Sequence, residues 1–265
     1  MNLNFPKFAA LALTAGAALS AHALDFLPSY AGIDALGAIA GNSTMHAPGF
    51  GTGSWQQSGN AKAQVYFDAT AIFGRNVTVG ELQSISYFTN KSGGYGAPDW
   101  TLAIYTKTGT GSDSAGWYGS RLNAEPYYTN TLSAAGNQWN QWSTAAGQTA
   151  LRFYDAPRTG HFGAYDDPTL AALTAGSVTF DPTTASPVSR NYSTESVRFF
   201  TLGTGSVWST GFDGKVDGLT VTLSDNTSRS FNLEAVAAVP EPGTYALLMA
   251  GLGVVVTVSR RARRV

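Results

Sequence analysis

From Leu219 to Leu233 apolar and polar residues alternate around a turn, and this stretch limits the chain's fold more than any other. Leu219, Val221 and Leu223 are separated by Thr220 and Thr222, Asp225-Asn226-Thr227-Ser228 supplies a reversal, and Arg229 to Leu233 returns with Phe231 and Leu233 in step. Successive side chains of a strand point to opposite faces, so this spacing predicts a hairpin with one buried face. The turn residues are those that tolerate a tight reversal. Such a face is buried only against another layer, which predicts sheet packed on sheet.

Other short runs repeat the theme. Trp100 to Thr106 places Trp100, Leu102 and Ile104 on one face and Thr101, Ala103 and Tyr105 on the other. Further strands are expected at Ala63–Phe67, Leu151–Tyr154, Val178–Phe180 and Val197–Leu202, each bounded by Gly, Asn, Asp or similar breakers. One short helix is expected after Asp167, with Asp167 as its cap, Pro168 in the first turn, Leu170 and Leu173 on one face, and Gly176 ending it. The residues Thr108 to Gly116 read as a flexible loop, because strands resume on both sides. Many strands with almost no helix predict an all-β, two-sheet sandwich of jelly-roll type over residues 24–238, taken as one domain. Gly211 to Gly218, leading into the hairpin, resembles the closing strands of concanavalin-like jelly-roll domains.

Composition agrees with an exported β protein. Only 12% of the 265 residues are charged and 30 are Gly, against a usual charged share of about a quarter. Setting Lys7, Glu241, Arg260, Arg261, Arg263 and Arg264 aside from 16 basic and 17 acidic residues leaves the body 11 basic against 16 acidic. A mildly acidic body offers no basic stripe for phosphates, which argues against a nucleic-acid partner. With no cysteine there is no disulfide, thiolate metal site or cysteine nucleophile.

The ends carry the most specific signals. Lys7, the apolar stretch Phe8–Leu19 and Ala21-His22-Ala23 read as a secretory signal over residues 1–23, with signal peptidase leaving Leu24 first. At the other end Pro240-Glu241-Pro242 is followed by an uncharged stretch from Tyr245 to Val258 and then by Arg260, Arg261, Arg263 and Arg264. The prolines enforce an extended backbone. A separate hydrophobic helix is expected after them, slightly short for a comfortable span, with the arginines on the cytoplasmic side. Residues 239–265 as a whole resemble a PEP-CTERM sorting signal. That resemblance implies a Gram-negative envelope protein handled by an exosortase, a membrane transpeptidase, with transient membrane association through the tail. It also implies a role in exopolysaccharide or biofilm matrix; an ordinary C-terminal anchor is the competing reading.

Chemistry in the body is harder to read. After removal of the leader only His46 and His161 remain as histidines, far apart, so no zinc site or other cofactor is expected. Asp213, Asp217 and Asp225 could offer oxygens to calcium, or simply make turns. There is no G-x-S-x-G elbow, and Gly49-Phe50-Gly51-Thr52-Gly53 lacks the sequel of a phosphate loop. Glycoside hydrolysis would need two carboxyl groups across a cleft; Glu125, Asp155, Asp166, Asp167 and Glu195 are available, but nothing in the sequence pairs them. The expectation therefore weighs against catalysis, with an exported glycan-cleaving enzyme as the alternative.

One distribution does point to a ligand. Six aromatics, Trp117, Tyr118, Tyr127, Tyr128, Trp139 and Trp142, lie close together and are interleaved with Asn123, Asn130, Asn137, Gln138, Asn140 and Gln141, and Phe153, Tyr154, Phe162 and Tyr165 continue the run. Aromatic rings stack on the apolar faces of sugars while amides bond their hydroxyls, so these six aromatics are the candidate polysaccharide-binding residues. The same rings could instead fill the core between the sheets. Trp139 and Trp142 are three apart, so one of them should face solvent if they share a strand.

Overall fold

A computed structural model describes residues 24–25, 41–58, 63–93, 99–108, 118–129, 136–145, 151–155, 167–180, 188–204 and 212–233. The expected leader, Trp117, the loop after Thr108, Asn130, His161, Asp166 and the tail with Pro240, Glu241, Pro242, its hydrophobic helix and Arg260, Arg261, Arg263 and Arg264 lie outside the described residues. Fourteen strands are described: β1 (Leu24–Asp25), β2 (Gly41–Ser43), β3 (Ser54–Ser58), β4 (Gln64–Asp68), β5 (Leu82–Lys91), β6 (Thr101–Lys107) and β7 (Ser120–Ala124) in the first half. In the second half come β8 (Asn140–Ser143), β9 (Tyr154–Asp155), β10 (Ser177–Phe180), β11 (Val188–Asn191), β12 (Ser196–Gly203), β13 (Asp213–Leu223) and β14 (Ser228–Asn232).

The expected hairpin becomes the spine of a seven-stranded sheet. β13 pairs with β14 in the register Leu219↔Phe231 and Val221↔Arg229, and Asn226 in the turn takes a left-handed φ of 66°. β5 runs antiparallel along the other flank of β13, with β8 beyond it, while β3 continues beyond β14's span and carries β2. β1 adds to β14 in parallel. The second sheet has five antiparallel strands in the order β4-β12-β6-β7-β9, and β10 and β11 form a separate pair.

The two sheets share one core. Trp55, Ile85, Tyr87, Trp142, Val216, Leu219, Val221 and Phe231 of the first meet Val65, Phe67, Leu102, Ile104, Leu122, Phe200 and Leu202 of the second. Rings bridge the layers, with Phe67 5.2 Å from Phe231 and 6.4 Å from Trp55, centroid to centroid. The all-β sandwich read from the alternation is therefore the fold, and the split of β6 into an inner Leu102/Ile104 face and an outer Ala103/Tyr105 face is as the sequence predicts.

Of three register shifts along β13–β5 and β12–β6, two re-aim side chains. In β13 the register against β5 shifts between Asp217 and Thr220. Gly218 sits there at φ 66°, where a Cβ would lie 2.6 Å from the Phe50 ring. Only glycine meets both demands. Asp217 beside it accepts hydrogen bonds from the backbone N–H groups of Ala47, Gly218 and Leu233 at 2.9, 2.7 and 3.0 Å. In β12 the register against β6 shifts between Val197 and Phe199, leaving Arg198 as the extra residue.

The helices differ from expectation. The helix α2 (Leu170–Ala175) buries Leu170 and Leu173 and ends at Gly176, but its cap is Thr169, whose side chain accepts from Ala172 N–H. Asp167 is fully buried instead, and its backbone carbonyl accepts from Arg152. A second helix, α1 (Ala69–Phe73), precedes it in the chain, capped by Asp68 and closed by Gly74 at φ 69°. Among the described residues no helix is long and apolar enough to cross a membrane.

Candidate functional site

The outer face of the five-stranded sheet gathers side chains that chain order keeps apart. Pairing registers set Tyr66, Thr201, Ala103, Asn123 and Tyr154 in one row across it, and Asp68, Phe199, Tyr105 and Arg121 in the next. Neighbouring strands lie about 4.8 Å apart, so each row runs unbroken across the sheet; Tyr66, Thr201, Ala103, Phe199 and Tyr105 are buried within these rows, and the rings form a second apolar cluster with Ala103. Tyr66 and Phe199 stand edge to face at 5.7 Å, Tyr66 and Tyr105 tilt at 5.8 Å, and Tyr118 stands edge-on to Tyr105 at 5.0 Å.

At the β7 end of these rows a 3-10 turn, Pro126–Tyr128, lifts two more rings beside them. Tyr127 stands at 83° to Tyr128 with centroids 5.0 Å apart, and Tyr128 stands at 81° to Tyr154 at 6.3 Å. Tyr127 is 39% exposed and is the most open of these rings. Tyr154 donates to Glu125 Oε1 at 2.5 Å. Burial first, and then that carboxylate, push the Tyr154 phenol above its ordinary range; burial followed by Glu125 does the same to Tyr128. Both phenols therefore stay protonated donors at neutral pH. Arg121, in the second row, has its Nε buried without a hydrogen-bond partner. Tyr127, Tyr128 and Tyr154 beside the Glu125 carboxylate are the partly open section of this face, and rings with a polar group among them suit a ligand with apolar patches and many hydroxyls.

Of the six aromatics singled out from sequence, Tyr118, Tyr127 and Tyr128 are brought to this face. Trp139 precedes β8 in the other sheet and is half-buried. Trp142 points inward at 3% exposure, and its indole Nε1 donates to Thr89 Oγ1 at 2.7 Å. Thr89 in turn donates to Asp99 Oδ2 at 3.1 Å, while Asp99 Oδ1 accepts from Trp100 N–H at 2.7 Å. Burial raises the Asp99 carboxyl to about 6, with Lys91 and these hydrogen bonds opposing it. This chain of bonds makes Trp142 a strut of the core. Of the later aromatics in that run Tyr154 joins this face, Phe153 is buried in the core, and Phe162 and Tyr165 lie outside the described residues; Tyr66, Tyr105 and Phe199 escaped the sequence reading, although the alternation of β6 did put Tyr105 on the outer side.

The carboxylates also find partners. Asp155 and Glu195, 40 residues apart in sequence, both enter the core near Tyr192 and Arg190. Tyr192 donates to Asp155 Oδ2 at 3.0 Å, Arg190 donates to Glu195 Oε1 through Nε at 2.9 Å and Nη2 at 2.5 Å, and Thr106 donates to Glu195 Oε2. Burial raises both carboxyls above their usual range. They are 0% and 2% exposed, so neither presents an oxygen to solvent. Of the calcium candidates, Asp217 holds three backbone amides, Asp213 accepts from Gln56 at 2.7 Å, and Asp225 accepts from Thr227 N–H at 2.8 Å. Among the described residues no group of three His, Asp or Glu side chains is placed to hold a metal ion.

Residues 238–264 match the family model of the PEP-CTERM protein-sorting motif. The chain thus carries the sorting signal that its terminal residues suggested: that of an exported protein, anchored at the membrane until an exosortase processes it. No curated protein matches the chain.

Proposed function

We propose that this exported protein is a non-catalytic polysaccharide-binding component of the cell envelope or extracellular matrix of a Gram-negative bacterium. In this reading signal peptidase removes residues 1–23, exosortase acts at the Pro240-Glu241-Pro242 tail, and residues 24–238 work as one domain. The observation that carries it is the row of rings Tyr127, Tyr128 and Tyr154 beside Asn123 and Glu125 on the outer face of the five-stranded sheet. A sandwich does not need aromatics on its outer surface for stability. Sugars use such rings as stacking platforms while protonated phenols and amides bond their hydroxyls.

The alternative, a glycan-cleaving enzyme, needs two open carboxyl groups across a cleft, and the burial of Asp155, Asp167 and Glu195 counts against three of its five candidates. Retention of the purified mature protein in gels containing soluble polysaccharides tests the proposal. Retardation by at least one polysaccharide, lost in Tyr127→Ala/Tyr128→Ala with unchanged melting, supports it. Equal retardation of that variant, or release of reducing ends from the polysaccharide, sinks it.

A further inference from the structure

The same outer face ends in a polar cleft of about 210 Å³, lined by Asp68, Thr70, Asn76, Lys107, Ser196 and Arg198 among others. Its position follows from the strand registers. Lys107 closes the outer row of β6 opposite Ser196, Asp68 closes that of β4 opposite Phe199, and Arg198 is the extra residue of the β12 bulge. A bulge is a device for turning one side chain out of the pleat. Here it sets the Arg198 guanidinium 6.0 Å from the centre of the Phe199 ring, at the rim of the Tyr66–Tyr105–Phe199 cluster.

The charges of the cleft select among ligands. Arg198 and Lys107 give it two cations against the single carboxylate of Asp68, within a body that is acidic as a whole. A carboxylate matches the planar fork of arginine, with lysine as a second point charge. A bare inorganic anion gains nothing from Asp68, which repels it. A group that joins a carboxylate to several hydroxyls satisfies both signs, because the hydroxyls donate to Asp68 while Thr70, Asn76 and Ser196 bond the remainder. The cleft is smaller than the roughly 300–1,000 Å³ of pockets for drug-sized ligands. That size suits a single sugar residue.

We infer that this cleft is a subsite for the carboxylate-bearing residue of an acidic polysaccharide, a uronic acid, held by Arg198 and Lys107. The inference deepens the proposed function and rests on it, since it names the kind of polysaccharide that such a protein would hold.

The test uses the mature protein and three probes measured by isothermal titration calorimetry: a polyuronate, a neutral glucan and inorganic phosphate. The polyuronate should bind best, weaken at least tenfold in Arg198→Gln and again in Lys107→Gln, and weaken with added salt, while inorganic phosphate fails to compete. Arg198 is exposed, so its variant should melt with the wild type; Arg198→Lys, which keeps the charge but not the fork, should recover only part of the loss. Unchanged polyuronate binding in Arg198→Gln/Lys107→Gln overturns the subsite. So does phosphate competing as well as the polyuronate. Binding of the neutral glucan alone, lost in Tyr127→Ala/Tyr128→Ala, also overturns the subsite while leaving the polysaccharide-binding proposal standing. Binding of neither glycan removes both.

Discussion

The two sheets use their outer faces in opposite ways. On the seven-stranded sheet the outer ladder along the hairpin is made of hydroxyls: Thr220 bonds Ser230 at 2.9 Å and Thr222 bonds Ser228 at 3.1 Å, with Ser86 and Ser84 opposite on β5, and Phe88 follows further along β5, 5.9 Å from Phe50. On the five-stranded sheet the equivalent rows hold Tyr66, Tyr105, Phe199 and Tyr154. Both sheets bury comparable inner faces in the same core. Tyr66, Tyr105 and Phe199 are themselves buried in a second apolar cluster, so packing accounts for them as it does for the inner rings, and only Tyr127, Tyr128 and Tyr154 beside that cluster stay partly open. The asymmetry that remains lies at that partly open edge, which has no counterpart on the hydroxyl ladder.

If the buried and the partly open aromatics differ in this way, replacing them should have different consequences. The largest effect is expected at Trp142, an inner ring that also loses its bond to Thr89. Trp142→Ala should destabilise the mature protein by about 3–5 kcal/mol in chemical denaturation. A loss below about 1 kcal/mol would remove Trp142 from the core.

Next comes the polar end of that core. Below about pH 4 both folded and unfolded chains hold the Asp99 proton. Between there and the folded value of about 6 only the folded chain does. Stability should therefore fall as pH rises from 4 to 6, by on the order of 2 kcal/mol, and then level off. Asp155 and Glu195, raised in the same direction, add to the fall. Asp99→Asn should flatten the profile measurably in urea melts at pH 4.5 and 7; an unchanged slope would contradict the burial of that carboxyl.

Gly218→Ala meets both a left-handed backbone and the Phe50 ring and should cost about 1–3 kcal/mol. Gly74→Ala, with a similar φ of 69° but nothing within 4 Å, should cost only about 1 kcal/mol. The smallest change is expected outside. Tyr127→Ala/Tyr128→Ala should stay within about 1 kcal/mol of wild type in stability yet lose tenfold or more in glycan affinity. Thr220→Ala on the hydroxyl ladder should change stability by about 0.5 kcal/mol and binding not at all. Equal binding losses at Thr220 and Tyr127 would erase the distinction between the two surfaces.

The parts of this architecture that were legible in the sequence are those where alternation is clean. The β13–β14 hairpin and β6 read directly, because their inward positions are all aliphatic or aromatic. β5, the ten-residue partner of β13, did not read as a strand. Its inward side runs Ile85, Tyr87, Thr89, Lys91, and the polar half is tolerable only because Asp99 and Trp142 arrive from elsewhere to satisfy it. The helix cap was displaced by two residues for a related reason: Asp167 is drawn into the core and Thr169 takes the free amide.

The candidate surface was half legible. Tyr118, Tyr127 and Tyr128 stood out by density in the chain. Tyr66 and Phe199 join them only through strand pairings that span more than a hundred residues. Trp139 and Trp142 shared the density but belong to the other sheet. The pleat direction decided their fate, and sequence spacing alone could not supply it.

Asp217 has a mechanical consequence for a protein held by its tail. Any tug transmitted from the sorting segment enters the body at Leu233, whose amide that carboxylate grips alongside those of Gly218 and Ala47. The strain is thereby spread from the terminal strand to the central one and to the loop beneath it, so the sandwich resists being unzipped from its last strand while it is still moored.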